Sequence, residues 1–566
     1  MKGTKPSKYQ PQYFLPPSNG SNWYDWTSQD RLMKAPIWCN VDLRDGNQAL
    51  ITPLSLGEKL AYFNFLLELG FKEIEVGFPA ASETEYTFLR RLIEENLIPD
   101  DVKIQVLTQS RAHIIEKTFE SLRGAKQAIV HLYNSTSAVQ REQVFRRSKE
   151  QIIAIAEEGA HTFVEYAQKM PETKFTFQYS PESFSGTEPE FALEICNRVI
   201  DIWEPTPDNP VIINLPATVE VSMPHVYAAQ IAYMSANLNS RENVIISLHP
   251  HNDRGTGVAA AEMGILAGAD RIEGTLFGNG ERTGNVDLIT LALNLYSQGV
   301  DPELNIFDMP RIVETYEKTM DLPVPARHPY AGELVFAAFS GSHQDAIAKG
   351  MDWRKGKIDA GESMELWNVP YLPLDPADVN RRYDADVIRI NSQSGKGGVS
   401  YILEQNFGYK LPKEMMADVG YLIKDISDKT HKELSPAEIH DAFVDEYVNI
   451  DKPISLIQVD WRREGEDARA MAEFSINGEV VSAEGVGNGS LDSLRAALDT
   501  ARSGLDYSFV NYFQHALEDE SSARAAAYIW IKDKDGKDIW GLGVHNDITM
   551  ASVYALISAI NRMERT

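Results

Sequence analysis

The chain of 566 residues has only two cysteines, Cys39 and Cys196, far apart and in apolar surroundings. So sparse a pair excludes a disulfide framework and points to free core thiols in a reducing compartment. No apolar run reaches the ~18 residues that a membrane span needs. The stretch from Met1 to Asn40, polar and rich in Pro, Tyr and Trp, lacks the apolar core of a signal peptide. Positive charge is also short: 54 Lys and Arg stand against 82 Asp and Glu, a formal net charge of −28. That balance argues against nucleic acid and anionic membrane surfaces as partners, and its plain reading is solubility. A cytoplasmic enzyme is the expectation.

With 43% hydrophobic and 24% charged residues, the chain can fill large cores, and its length calls for more than one domain. From about residue 36, short apolar runs alternate with amphipathic segments. The predicted strands are 37–42, 73–78, 102–107, 128–133, 174–179, 211–215, 244–248 and 271–277. The predicted helices between and after them are 56–69, 82–95, one beginning after Ser110, 144–158, 189–201, 225–238, 257–267 and 288–299. Eight strand–helix units in this span describe a closed (β/α)8 TIM barrel. An open doubly wound sheet is the alternative, but it needs a Gly-rich fingerprint after its first strand, which here ends in Leu43-Arg-Asp-Gly46.

Polar residues gather at the C-terminal ends of these strands, the catalytic face of barrel enzymes. Arg44 and Asp45 follow strand one, His131 lies in strand four, and Ser180 and Glu182 follow strand five. Thr218 follows strand six, and His249 and His251 end strand seven. Side chains at i and i+2 of a strand share a face, so the two imidazoles project together. With Asp45 they can hold Mg²⁺, Mn²⁺ or Zn²⁺ with positions left open for a 2-oxo acid. Arg44 is placed to bond a developing alkoxide. In the loop Gly278-Asn-Gly-Glu-Arg-Thr-Gly-Asn285 the glycines permit close backbone approach, Glu281 and Arg282 could pair, and Asn285 could present an amide to a ligand or the metal shell.

Beyond residue 299 the pattern changes to helices and Pro-rich loops, and Asn391 to Gly398 reads as a flexible linker. From Ile454 two β-β-β-α halves suggest an internally duplicated α+β module, regulatory or assembling by analogy. The expected domains are an arm over 1–35, the barrel over 36–330, linker subdomains over 331–453 and the regulatory domain over 454–566. The glycines of two expected turns, Gly485, Gly487 and Gly489 with Gly541 and Gly543, can offer backbone groups to a small amino acid's charged ends.

Three motifs, Leu43-Arg-Asp-Gly-Asn-Gln48, His249-Pro-His-Asn-Asp253 and Gly278 to Asn285, resemble the signatures of the 2-isopropylmalate synthase family. Tyr179 to Ser183, Asn214 to Thr218 and Ser340 to Gln344 are similar as well, and the resemblance runs from about Lys34 to the C-terminus. It implies a homodimeric, leucine-inhibited, metal-dependent acyltransferase that condenses acetyl-CoA with 3-methyl-2-oxobutanoate to (2S)-2-isopropylmalate and CoA, with K⁺ as an activator. It further implies that Asp45, His249 and His251 bind the metal with Asn285 close by. Arg44, His131, Ser180 and Thr218 are then implied to bind substrate, with Arg44 polarising the keto oxygen and Thr218 meeting the carboxylate. Glu182 and His343 are implied to remove the methyl proton. Ser490 departs from the family, which usually has proline there, and this bears on leucine sensitivity. Homocitrate or citramalate synthesis, a retro-aldol lyase, and a non-catalytic barrel remain alternatives. Gly77 to Ala80, Leu107, His131 and Tyr133 are the expected discriminators of the 2-oxo acid.

Overall fold

The computed structural model describes residues 11–565 apart from 19, 339, 384–395, 431–433 and 518–522, and it divides into two units. The first spans Met1–Val335 and Pro376–Arg381. In chain order it runs β1 (Ile37–Asn40), α1 (Leu56–Glu68), β2 (Glu73–Gly77), α2 (Glu83–Glu94), β3 (Lys103–Gln109), α3 (Ala112–Ser121), β4 (Gln127–Ser135), α4 (Lys149–Gln168), β5 (Lys174–Glu182), α5 (Pro189–Trp203), β6 (Val211–Ala217), α6 (Pro224–Asn237), β7 (Val244–Pro250), α7 (Gly257–Leu266), β8 (Arg271–Gly274), α8 (Leu288–Ser297) and α9 (Met309–Met320). All eight strands pair in parallel, and β1 against β8 closes the barrel.

Local chemistry sets the helix starts. Ser55 and Glu58 form a capping box on α1, and Ser82 caps α2. Pro189 and Pro224 occupy the first turns of α5 and α6, where a missing N–H costs nothing. The helix expected from Val144 begins instead at Lys149, behind a capping box of Ser148 and Gln151. Before it, Gln140–Phe145 is a π-turn that ends at Arg146 in left-handed backbone, φ 53°.

Three strand ends differ from expectation in ways that shape the rim. The first strand stops at Asn40, and Asp42–Gly46 winds into a π-turn in which the amides of Arg44, Asp45 and Gly46 all donate to the Val41 carbonyl. The fifth strand continues through Ser180 to Glu182, pairing Glu182 with Ser135 of β4. The eighth stops at Gly274, because the loop folds back there: Thr275 N donates to the Val286 carbonyl, and a Cβ at Gly274 would lie 2.6 Å from that oxygen.

The second unit spans Phe336–Asp375 and Arg382–Thr566. It holds α10 (Gly341–Asp359), α11 (Lys396–Phe407), α12 (Met416–Thr430), α13 (Pro436–Tyr447), β9 (Ile454–Glu464), β10 (Asp467–Ile476), β11 (Glu479–Gly487), α14 (Ser490–Ala501), β12 (Tyr507–Ala516), β13 (Ala525–Asp533), β14 (Asp538–His545) and α15 (Ile548–Arg565). Residues 391–395 of the expected linker lie outside the described residues, and Lys396 to Gly398 open α11 instead of continuing a linker. The duplication is visible as two three-stranded antiparallel sheets, each followed by a helix. One apolar cluster joins both sheets with α14 and α15, and a second packs the far face of β13–β14 on α11–α13 through Tyr528, Trp540 and Leu542.

Four of the five expected turn glycines lie in strands instead. Gly485 and Gly487 lie in β11, and Gly541 and Gly543 in β14. A Cβ on Gly485 would stand 2.2 Å from Ala497 N of α14, and one on Gly543 would stand 1.9 Å from the Ala551 carbonyl of α15. These residues are glycine because a helix backbone lies directly on the strand. Gly489 is the N-cap of α14, so Ser490 begins the helix without interrupting a turn.

Candidate active site

The π-turn after β1 and the end of β7 bring one carboxylate and two imidazoles together. Asp45 Oδ2 lies 3.6 Å from His249 Nε2 and 4.0 Å from His251 Nε2. All three residues are buried, and one donor atom from each falls within 4.8 Å of the others. A divalent ion with bonds of about 2.1 Å places its ligand atoms about 3–4 Å apart, so the cluster fits one with little movement.

Hydrogen bonds orient both rings. A carboxylate only accepts, so the 2.8 Å contact of His249 Nδ1 with Glu273 Oε2 puts the proton on Nδ1 and turns Nε2 toward Asp45. His251 Nδ1 likewise donates to the Gly284 carbonyl at 3.2 Å. Burial alone would lower the basicity of His249, but Asp45 and Glu273 outweigh it and push it up to about 9. Burial and the neighbouring His249 bring His251 down to about 4, so its ring is neutral at physiological pH. Burial would raise the Asp45 carboxyl, yet the Arg44 guanidinium and the imidazoles hold it well below the ordinary carboxylate range. Asn285 stands between them, donating Nδ2 to Asp45 Oδ2 at 2.7 Å, with Oδ1 3.0 Å from His249 Nε2. Gly280 makes room for it, since a Cβ there would lie 2.2 Å from that amide nitrogen.

Arg44 spans two carboxylates: Nε meets Glu75 Oε2 and Nη1 meets Asp45 Oδ1, both at 2.5 Å. Beneath them lies a charged floor. Arg271, fully buried, donates Nε to Glu73 at 2.6 Å, Nη1 to Glu273 at 2.6 Å and Nη2 to Gln105 Oε1 at 2.7 Å. Glu75, Gln105 and Glu273 therefore tie β2, β3 and β8 to the site from below.

Above this floor opens a cavity of about 280 Å³. It is lined by the expected residues Arg44, Asp45, His131, Ser180, Glu182, Thr218, His249 and His251, with Leu107, Tyr133, Asn214 and Pro216 beside them. His131 Nδ1 faces Glu75 Oε1 at 3.1 Å and carries the proton, so its Nε2 accepts from the Ser180 hydroxyl at 2.7 Å. Ser180 Oγ in turn accepts from Asn214 Nδ2 at 2.9 Å. The Thr218 hydroxyl accepts from Ser183 N at 2.9 Å and keeps its proton to give. Ser135 donates to the Glu182 carboxylate.

One reading changes. Arg282 pairs with Asp253, Nε to Oδ1 at 2.7 Å, and Glu281 instead accepts from Gln48. His343 lies beyond the barrel as expected, in the second unit, where its ring stacks on Tyr371 with centroids 4.0 Å apart. The acids Glu75 and Glu273 were missed. Their signal was present: Glu73-Ile-Glu75 and Arg271-Ile-Glu273 place charges at i, i+2 in strands otherwise apolar, the inward face of a barrel. Cys39 and Cys196 are buried free thiols, and burial pushes both well up. Among the described residues, no helix is long and apolar enough to cross a membrane.

The closed parallel barrel with a buried Asp-His-His cluster at its strand ends is a barrel able to hold a divalent metal, and the HMGL-like family model matches residues 35–315 of it. Residues 333–404 match the post-catalytic domain of alpha-isopropylmalate synthase, and residues 433–564 the LeuA allosteric (dimerisation) domain. The chain is 58% identical over 555 residues to the 2-isopropylmalate synthase of Desulfitobacterium hafniense, covering 98% of each. It is 56% identical to that of Helicobacter hepaticus over 98% of this chain and 99% of the relative, and 53% identical to that of Acetoanaerobium sticklandii over 95% and 94%. The chain belongs to the 2-isopropylmalate synthase family, and the condensing acyltransferase activity of that family is its activity.

Proposed function

We propose that the cavity at the barrel mouth condenses acetyl-CoA with 3-methyl-2-oxobutanoate, and that water then cleaves the thioester of the condensed product, giving 2-isopropylmalate and CoA. The observation that carries this reading is the placement of a divalent-metal ligand set and a separate carboxylate, Glu182, around one cavity. A divalent ion held by Asp45, His249 and His251 supplies Lewis-acid polarisation of a keto oxygen. Arg44, tethered by Glu75 and Asp45, presents its guanidinium to charge growing on that oxygen. Thr218 donates to the substrate carboxylate. Ser180 is engaged with both His131 and Asn214, so that wall selects by shape, with Leu107 and Pro216 offering apolar surface to a short branched chain. Glu182 accepts the methyl proton of the thioester, with the His343 of a second copy of the chain sharing in its removal.

The decisive assay measures CoA release from acetyl-CoA with a panel of 2-oxo acids, with and without K⁺. Preference for the isopropyl-bearing acid is expected; a preference for 2-oxoglutarate or pyruvate would replace this reading with homocitrate or citramalate synthesis. Mixing inactive Glu182→Ala and His343→Ala proteins tests the catalytic homodimer. Partial recovery on subunit exchange is expected, and none after proven exchange counts against it.

The C-terminal module binds leucine and inhibits the barrel. The similarity of residues 433–564 to the LeuA allosteric (dimerisation) domain supports this. Calorimetry of leucine on the full chain, with inhibition measured in parallel, checks it. Because binding coupling is reciprocal, substrate is expected to weaken leucine binding. Insensitive activity together with no binding heat would remove the regulatory reading and leave the catalytic one.

A further inference from the structure

The π-turn that carries Arg44 and Asp45 rests on an ion pair that the reaction does not use. Lys59, on α1, is fully buried. Its ammonium donates to the Leu43 carbonyl at 3.0 Å and to Glu85 Oε1, from α2, at 2.5 Å. Leu43 is the residue immediately before Arg44 and lies inside the same turn. The second Glu85 oxygen fills a hollow under the end of β2: a Cβ on Gly77 would stand 1.8 Å from Oε2. That same strand holds Glu75, which grips Arg44 from the other side. The catalytic turn is thus held between two anchors, Glu75 on the guanidinium and Lys59 on the backbone carbonyl before it. A buried ion pair brings little net stability over an apolar replacement, so its consequence here lies in where it holds the chain.

We propose that Lys59, seated by Glu85 in the space left by Gly77, is a positioning residue that fixes the Leu43 carbonyl and thereby the direction in which Arg44 and Asp45 leave β1. This rests on the reading of Asp45, His249 and His251 as the metal site. An anchor two residues before the metal-binding carboxylate acts as outer-shell partners of ligands do, and losing one typically weakens metal binding about 10–100-fold.

The test uses the full-length protein stripped of metal, with Mn²⁺ as the probe. One bound Mn²⁺ in wild type, lost in His249→Ala, establishes the site; retention of Mn²⁺ in His249→Ala would sink the metal reading itself, apart from this proposal. Lys59→Met/Glu85→Gln removes both buried charges together, so no unpaired ion is left to unfold the barrel. It is expected to keep the wild-type melting temperature within a few degrees, bind Mn²⁺ at least about tenfold more weakly, and lose kcat more than KM. Gly77→Ala keeps both charges but pushes the Glu85 carboxylate aside and also strains the backbone at φ 154°, so weaker Mn²⁺ binding is expected there and supports the proposal only where shortening Glu85 recovers it. Glu85→Asp, shorter by a methylene, is expected to restore part of it in the Gly77→Ala background. Wild-type Mn²⁺ affinity in the folded Lys59→Met/Glu85→Gln protein would overturn the proposal and leave Lys59 as filling. If that protein does not fold, wild-type affinity in Gly77→Ala overturns it equally.

Discussion

Glu273 Oε2 stands 2.8 Å from His249 Nδ1, a buried carboxylate behind the imidazole whose other nitrogen faces Asp45. It fixes the tautomer and adds basicity at Nε2. Glu273→Gln is expected to weaken divalent-metal binding about 10–100-fold while the barrel stays folded. Metal titration of the stripped protein checks it, and unchanged affinity would mean that Asn285 and His251 orient the site without Glu273.

Arg44 uses two of its nitrogens on Glu75 and Asp45 while still lining the cavity. A lysine ammonium is a point charge and cannot span both carboxylates and a ligand. Arg44→Lys is expected to lower kcat about 100–1000-fold, the loss typical of removing an oxyanion donor, with metal content unchanged. Steady-state kinetics beside metal analysis decides, and a Lys variant near the wild-type rate would make Arg44 a structural bridge only.

Arg271 neutralises Glu73 and Glu273 in the fully buried floor. Arg271→Leu leaves Glu273 to His249, Gln105 and Gln178, and Glu73 to Lys103 at 3.7 Å, so the cost is expected to stay below the about 3–5 kcal/mol of a buried charge with no partner. A denaturant midpoint below wild type is expected, with loss of metal affinity as Glu273 shifts. A midpoint equal to wild type would show that the acids take up protons or water at little cost.

Gly543 of β14 lies directly against α15, its missing Cβ only 1.9 Å from the Ala551 carbonyl. Since backbone cannot swing away, Gly543→Ala is expected to cost at least the 1–3 kcal/mol of an overpacked core, roughly. The loss should fall on the C-terminal module, with CoA release in the absence of leucine retained. Limited proteolysis that cuts this module first would agree. A variant as resistant as wild type would mean the helix can slide.

The eight-fold alternation was legible because periodicity is a local property of the chain. The ligand pair His249 and His251 was legible for the same reason, since i and i+2 on a strand share a face without help from any other element. The glycines at 485 and 543 were misread as turns, because a strand glycine under a helix and a turn glycine look alike until the helix is in place.

What the chain alone determined is the repeating strand–helix order, the strand ends where chemistry collects, and the residue types able to hold a metal. Tertiary structure decided which groups serve them. Arg271 meets Glu73 across 198 residues, Gln105 meets Glu273 across 168, and Asn285 meets Asp45 across 240. Closing the barrel puts those groups on one inner wall, where low polarity makes each charge depend on its partner. No local pattern specifies such pairings, because the burial that makes them necessary exists only once β1 has met β8.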